Sequence, residues 1–366
     1  MARRRASDPA PSLFAISAAD RAMEVVPPAA QNAQSESVAA ALPPGIRLGT
    51  SSWSFPGWRG LVFATTAPVR SLASEGLAAY AHHGLHRTVG LDRAFYEVPS
   101  VQALRQLAAQ VPEGFRFVVK AHQSLTRPHL QADGTTMGST RLAHGNGAPN
   151  PRFLDASWAT EAVVHPLLEG LGAACGPIVF QFPAINLGPR EAVGDEVAVL
   201  ERLGRFLERL PAGPIYAVEF RNDTFLKPRH VAAFAELLAS VGAVPALGLL
   251  PTMPSASEAA SALLAAGWHW SPQRPLVVRW LLGHGLGYEE ARQRFEPFDQ
   301  ASAPDVSARH QVADLVVSAQ AAGAASFVII NNKAEGSAPR SIEMLARVVV
   351  DRLHRSVEVP RKASMS

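Results

Sequence analysis

Residues 215–221 read Ile-Tyr-Ala-Val-Glu-Phe-Arg. If this run is extended, Tyr216, Val218 and Phe220 lie on one face and Ala217, Glu219 and Arg221 on the other. A Glu and an Arg facing a protein interior are costly unless they are partnered or form a site. Other apolar runs end in the same way. Residues 115–121 (FRFVVKA) put Lys120 in line with Val118, and 177–182 (PIVFQF) put Gln181 in line with Val179. Residues 276–282 (LVVRWLL) align Arg279 with Val277, and 88–92 (TVGLD) align Asp92 with Gly90. Residues 326–332 (SFVIINN) end in Asn331 and Asn332. Brought together, Lys120, Arg221 and Arg279 would hold a phosphate or carboxylate, the arginines through their planar forks. A carboxylate beside Arg stays ionised and suits a general base better than an acid. The expected catalytic set is therefore Glu219 as base, with Lys120 and Asp92. Gln181, Asn331 and Asn332 would orient the substrate.

These residues converge only if the runs share one sheet. Eight such runs exist, counting 46–51 (IRLGTS) and 244–250 (VPALGLL). Helix-like segments lie between them at 69–83, 99–110, 153–173, 195–209, 225–240, 257–266, 304–322 and 339–353. Pro and Gly punctuate many of the boundaries. Eight β–α units, with polar residues after nearly every strand, predict an α/β fold of the (β/α)8 TIM-like barrel type rather than a doubly wound open sheet. The barrel is expected as a single domain over 45–355. Residues 1–44, rich in Ala, Pro, Ser and Gln, read as a disordered or loosely attached arm, and 356–366 as a flexible tail. Three loops on the carboxyl side of strands are long: 122–151, 251–273 and 283–300. The first is expected to close over the barrel mouth.

Five of the six tryptophans, Trp53, Trp58, Trp268, Trp270 and Trp280, fall in expected βα loops or at a strand's end. They are expected to form an aromatic rim, with Trp53 and Trp58 closing over the substrate. The loop histidines His122, His129 and His144 lack a ligand-like spacing, so no metal is assigned, and the cofactor is left open. Cys175 is the one cysteine, so no internal disulfide and no CxxC metal site can form; it reads as a buried small residue. No apolar run is long enough to span a bilayer, and the basic start is too broken for a signal peptide, so a cytoplasmic protein is expected. A net charge of +3 suits anionic ligands without requiring them.

The motifs GTSSWSFPGWRG, FYEVPS, PEGFRFVVKA, PIVFQFP, AVEFRND and INNKAEGSAPRS run in order from about 46 to 350. Together they resemble the DUF72 (YecE-like) family. The resemblance implies a TIM-barrel fold with its site at the mouth, and it names no reaction. Many members carry a VEIN-like stretch in strand two, where this chain has VGLD; Gly90 stands for the Glu and Asp92 for the Asn. Many also carry Arg-x-His-Gly in strand seven. Here the stretch reads RWLLGHG, which displaces the His to His284.

The leading expectation is an enzyme, of hydrolase or lyase type, acting on a small anionic or phosphorylated substrate. A nucleic-acid-processing or nucleic-acid-binding protein and a non-catalytic binding barrel are the alternatives. A glycosidase using Asp92 and Glu219 is less favoured, because the surrounding cations oppose a protonated acid. The sequence leaves the oligomeric state open.

Overall fold

The structure, a computed structural model, describes residues 25–130, 148–189, 191, 193–283 and 285–363, with side chains described through 355. Eight parallel strands close on themselves in sequence order. They are β1 (Ile46–Thr50), β2 (His86–Leu91), β3 (Arg116–Lys120), β4 (Cys175–Gln181), β5 (Tyr216–Glu219), β6 (Val244–Leu249), β7 (Leu276–Trp280) and β8 (Ser326–Ile330). Each coincides with one of the eight apolar runs, and β8 pairs with β1 over five residues to complete the barrel. Both faces of the sheet are covered, so nearly every residue of the eight strands is buried.

Helices surround the barrel. Before β1 lies α1 (Ala33–Ala41), and α2 (Val69–His82) and α3 (Val101–Ala108) follow β1 and β2. After β3, α4 (Ala156–Ala159) and α5 (His165–Leu171) are joined through a π turn at Thr160–Val164. Next come α6 (Glu196–Glu208), α7 (Pro228–Val241) and α8 (Ala256–Ala265). The loop after β7 carries α9 (Tyr288–Phe295), and α10 (Val306–Ala321) returns the chain to β8. The last helix is α11 (Ala338–Ala363). Short polar side chains start many of these helices by accepting otherwise orphaned backbone N–H groups: Ser100 for α3, Asp195 for α6, Asp305 for α10, and Ser255 with Glu258 as a reciprocal pair for α8.

Three boundaries differ from the sequence reading. Residues 25–44 are not a loose arm: Val26, Ala39 and Leu42 are buried in the barrel's core cluster, and the Arg87 guanidinium donates to the carbonyls of Ala39, Leu42 and Pro43. The helix α1 is so rich in Ala that its buried face leaves no periodic stripe to read. The helix α11 runs to Ala363, past 355, where the tail was expected to begin. The loop 283–300 holds α9, which the apolar pattern does not announce, because only Ala291 and Phe295 of its eight residues are buried.

Candidate active site

Alternation along the strands delivers the expected side chains to the interior at the carboxyl end. Registers align them further, with Gln181 opposite Glu219 and Gly248 opposite Arg279. The centre is Glu219, which is completely buried. Its Oε1 accepts from Arg221 Nε at 2.7 Å and its Oε2 from Arg279 Nη1 at 2.7 Å. The second fork nitrogen of Arg279 reaches Asp92, at 3.1 Å to Oδ1 and 3.0 Å to Oδ2. One guanidinium thus ties β7 to β5 and to the end of β2.

Glycine makes room for this. A Cβ at Gly248 of β6 would lie 3.0 Å from Glu219 Oε1, so a larger residue there would push the carboxylate out of line. Burial alone would raise the Glu219 carboxyl, but Arg279 and Arg221 outweigh it and hold the group below its ordinary range. Arg279 is also fully enclosed; burial opposes its charge, and the Glu219 and Asp92 carboxylates more than restore it.

Lys120 stands apart from this network. Its Nζ lies 3.4 Å from the centroid of the Phe95 ring, and among the described residues it forms no ion pair or hydrogen bond. Burial pushes its amine down to about 7; Asp92 resists that shift, while Arg279 and Arg221 add to it. Among these five described side chains, three cations against two carboxylates leave one net positive charge, and the cation without a carboxylate partner is the amine pushed down to about 7. The mouth is less cationic than a list of its residues suggests.

Other expectations need correction. Trp53 and Trp58 do not close over a ligand: they are 1% and 0% exposed. The Trp53 indole donates to the Leu72 carbonyl of α2 at 3.0 Å, and Trp58 packs on Phe55 and Tyr80. Trp268, Trp270 and Trp280 are buried as well, so the tryptophans pin loops onto the barrel and form no rim. Asn332 is buried too, and its Oδ1 accepts from the Ala338 N–H at the start of α11, which makes it a cap rather than a substrate contact. Asn331 is turned inward on the protein, with Nδ2 on Ser51 Oγ and Oδ1 accepting from the Lys333 N–H. Glu219 is a poor general base, because both of its oxygens are occupied by arginines and neither meets solvent. Gln181 keeps its place beside Glu219, and among the described residues its amide has no hydrogen-bond partner.

Asp92, with 32% of its side chain exposed, is the accessible carboxylate. His144 and His284 lie outside the described residues, as does 131–147 of the loop expected to cover the mouth. The His122 Nδ1 is engaged by Ser124 Oγ at 2.8 Å. Burial pushes the Cys175 thiol up to about 11, which keeps it protonated at the start of β4, at the opposite end of the barrel from the site.

Sequence reasoning missed Phe95 and Gly248. Phe95 sits in the FYEVPS motif directly after β2, so the motif flags the segment without saying that its ring faces Lys120.

A family model described as a protein of unknown function, DUF72, matches residues 47–364. The fold is similar to that of a DUF72 family protein from Enterococcus faecalis V583, at 18% identity over 83% of this chain and 95% of that one, with a TM-score of 0.52. A DUF72 family protein from Thermotoga maritima MSB8 is 18% identical over 83% of this chain and 98% of that one, with a TM-score of 0.48. No curated protein matches the chain. Among the described residues, no helix is long and apolar enough to cross a membrane.

Proposed function

Since this chain belongs to the DUF72 family, whose description names no reaction, we propose from the site alone that it is an enzyme acting on a small anionic substrate at the barrel mouth. One observation carries this reading. Arg221 uses only Nε on Glu219, and no described residue engages its Nη1 and Nη2, while its side chain is 21% exposed. Glu219 holds that fork in a fixed orientation without consuming it, as recognition of a carboxylate or phosphate requires. Arg279, by contrast, spends both fork nitrogens on protein carboxylates, so its part is to position Asp92 and Glu219. Of the expected three-cation clamp, Arg221 is the contact and Lys120 its neighbour. Asp92 takes the base role first assigned to Glu219, being reachable and oriented by Arg279.

The test is a thermal-shift titration of the full chain with inorganic phosphate, pyruvate and sugar phosphates, against the Arg221→Gln variant. The glutamine amide can still donate to Glu219. The reading expects a dose-dependent rise in Tm for wild type, worth about 2.7 kcal/mol of stabilisation at a ligand concentration of 100 Kd. In the variant that rise should weaken at least about tenfold in apparent affinity. No shift with any of these anions removes the reading. A shift only with oligonucleotides, weakening steeply with salt, would replace it with nucleic-acid binding.

A further inference from the structure

We propose that Lys120 is a covalent nucleophile, whose Nζ forms a Schiff base with a small carbonyl compound carrying the anionic group that Arg221 holds. This rests on the reading of the mouth as an anion-binding active site, and it names the substrate class as an oxo acid or a phosphorylated aldehyde or ketone.

The first support is residue choice. The chain has only four lysines among its 34 Lys and Arg. Lys227 forms an exposed pair with Asp223 at 3.0 Å, Lys333 lies over the Tyr288 ring at 4.1 Å, and Lys362 is near the carboxyl terminus. The other 30 of the 34 are arginines. For binding an anion, a guanidinium at 120 would serve as well or better. An amine is needed only where the group must lose its proton and attack, because a guanidinium stays protonated and is no nucleophile.

The second support is placement. The Nζ stands at the end of β3 against the face of Phe95, with no carboxylate paired to it among the described residues. A half-buried amine left unpaired is unfavourable as an ammonium ion. That cost falls away when it is neutral, and the shift to about 7 is the same fact in another form. The third support is a proton carrier. Asp92 is the carboxylate that acts most strongly on Lys120, and it is solvent-reachable and held by Arg279.

The chemistry balances without an oxidant or reductant. The free-base nitrogen adds its lone pair to the carbonyl carbon, the C–O π pair moves to oxygen, and the nitrogen's proton passes through Asp92 to that oxygen. Asp92 accepts the second nitrogen proton, and with one proton from solvent the hydroxyl leaves as water while the C=N bond forms. Hydrolysis reverses every step. The Phe95 face shields one side of the imine, and the Arg221 fork fixes the anionic end.

The experiment uses the full chain with pyridoxal 5′-phosphate and, separately, pyruvate, each with and without borohydride reduction, read by intact mass and peptide mapping. The expected result is one reduced adduct per chain, on Lys120, with a yield that climbs between about pH 6 and pH 8 as the amine loses its proton. In Lys120→Met and Lys120→Arg, checked for folding by circular dichroism, that adduct disappears. In Arg221→Gln, trapping of both probes falls about tenfold further than trapping of the neutral aldehyde propanal, which changes only as far as loss of the Arg221 charge lets the Lys120 amine rise. Adducts spread over the other lysines and the amino terminus overturn the proposal. So does the absence of adduct in a protein whose Tm still rises with phosphate and loses that rise in Arg221→Gln. That last outcome would leave the anion site standing and reduce Lys120 to a charge or proton-transfer group. Absence of both signals would remove the two readings together.

Discussion

Lys120 and Glu219 show how one interior can push two ionisable groups in opposite directions. Glu219 is buried with two guanidinia and stays charged; Lys120 is half-buried against an aromatic ring, and its amine is pushed down to about 7. The lysine should leave a signature in stability. Between about 7 and its ordinary 10.5 the folded protein binds fewer protons at this site than the unfolded chain, so stability climbs with pH across that window. Below about 7 both states are protonated and the contribution is lost. Lys120→Met, which keeps the contact with Phe95, should therefore be more stable than wild type at pH 7, and the advantage should shrink steadily toward pH 10. Urea midpoints at several pH values check this, and parallel profiles for the two proteins would contradict it. Five of the expected residues, Asp92, Lys120, Glu219, Arg221 and Arg279, were legible because a two-residue period and a strand end fix where a side chain points. The tryptophans and asparagines were not. A loop position does not reveal whether an indole turns toward ligand or core, nor whether an amide caps a helix.

At the scale of elements, the exchange of VEIN for VGLD in β2 has a steric basis. A Cβ on Gly90 would lie 3.0 Å from the Ser51 Cα and 3.2 Å from its carbonyl oxygen. These are backbone atoms held where Ser51 N–H donates to the Ile330 carbonyl. The end of β1 has closed into the space a side chain would take, and the carboxylate comes instead from Asp92, one position beyond the end of β2. Gly90→Ala should cost about 1–3 kcal/mol, as overpacking of a close contact does, and should weaken anion binding by disturbing Asp92. Denaturant unfolding with a parallel phosphate titration tests both effects. An unchanged midpoint would mean that β1 moves aside freely. Elements with a strong local signal matched their expected spans, whereas α9 was missed because so few of its side chains are buried.

At the scale of the molecule, α1 and the residues around it belong to the barrel. Leu42 is 3% exposed, its carbonyl accepts from Arg87, and Ser35 Oγ hydrogen-bonds Glu343 Oε1 of α11 at 2.8 Å. Leu42→Ala should lower stability by about 2–5 kcal/mol, read from urea unfolding. A loss below about 0.5 kcal/mol, the range of ordinary surface changes, would return the segment to the status of an appendage. The barrel itself was legible because eight buried parallel strands each leave a short, largely apolar run bounded by helix-like segments. The attachment of 25–44 was not, because it rests on a few isolated apolar contacts and on backbone carbonyls, which every sequence possesses.

The bridge from Asp92 through Arg279 to Glu219 joins residues 187 and 60 positions apart in the chain. Contacts of such long sequence separation form late, after most of the loop-closure entropy has been spent. A slipped or strand-exchanged barrel that buried Arg279 without these carboxylates, or the reverse, would be several kcal/mol out of balance. The same three side chains that hold the site's geometry would therefore also select for the correctly closed ring. They penalise slipped or strand-exchanged barrels, and they become favourable only when the ring is complete.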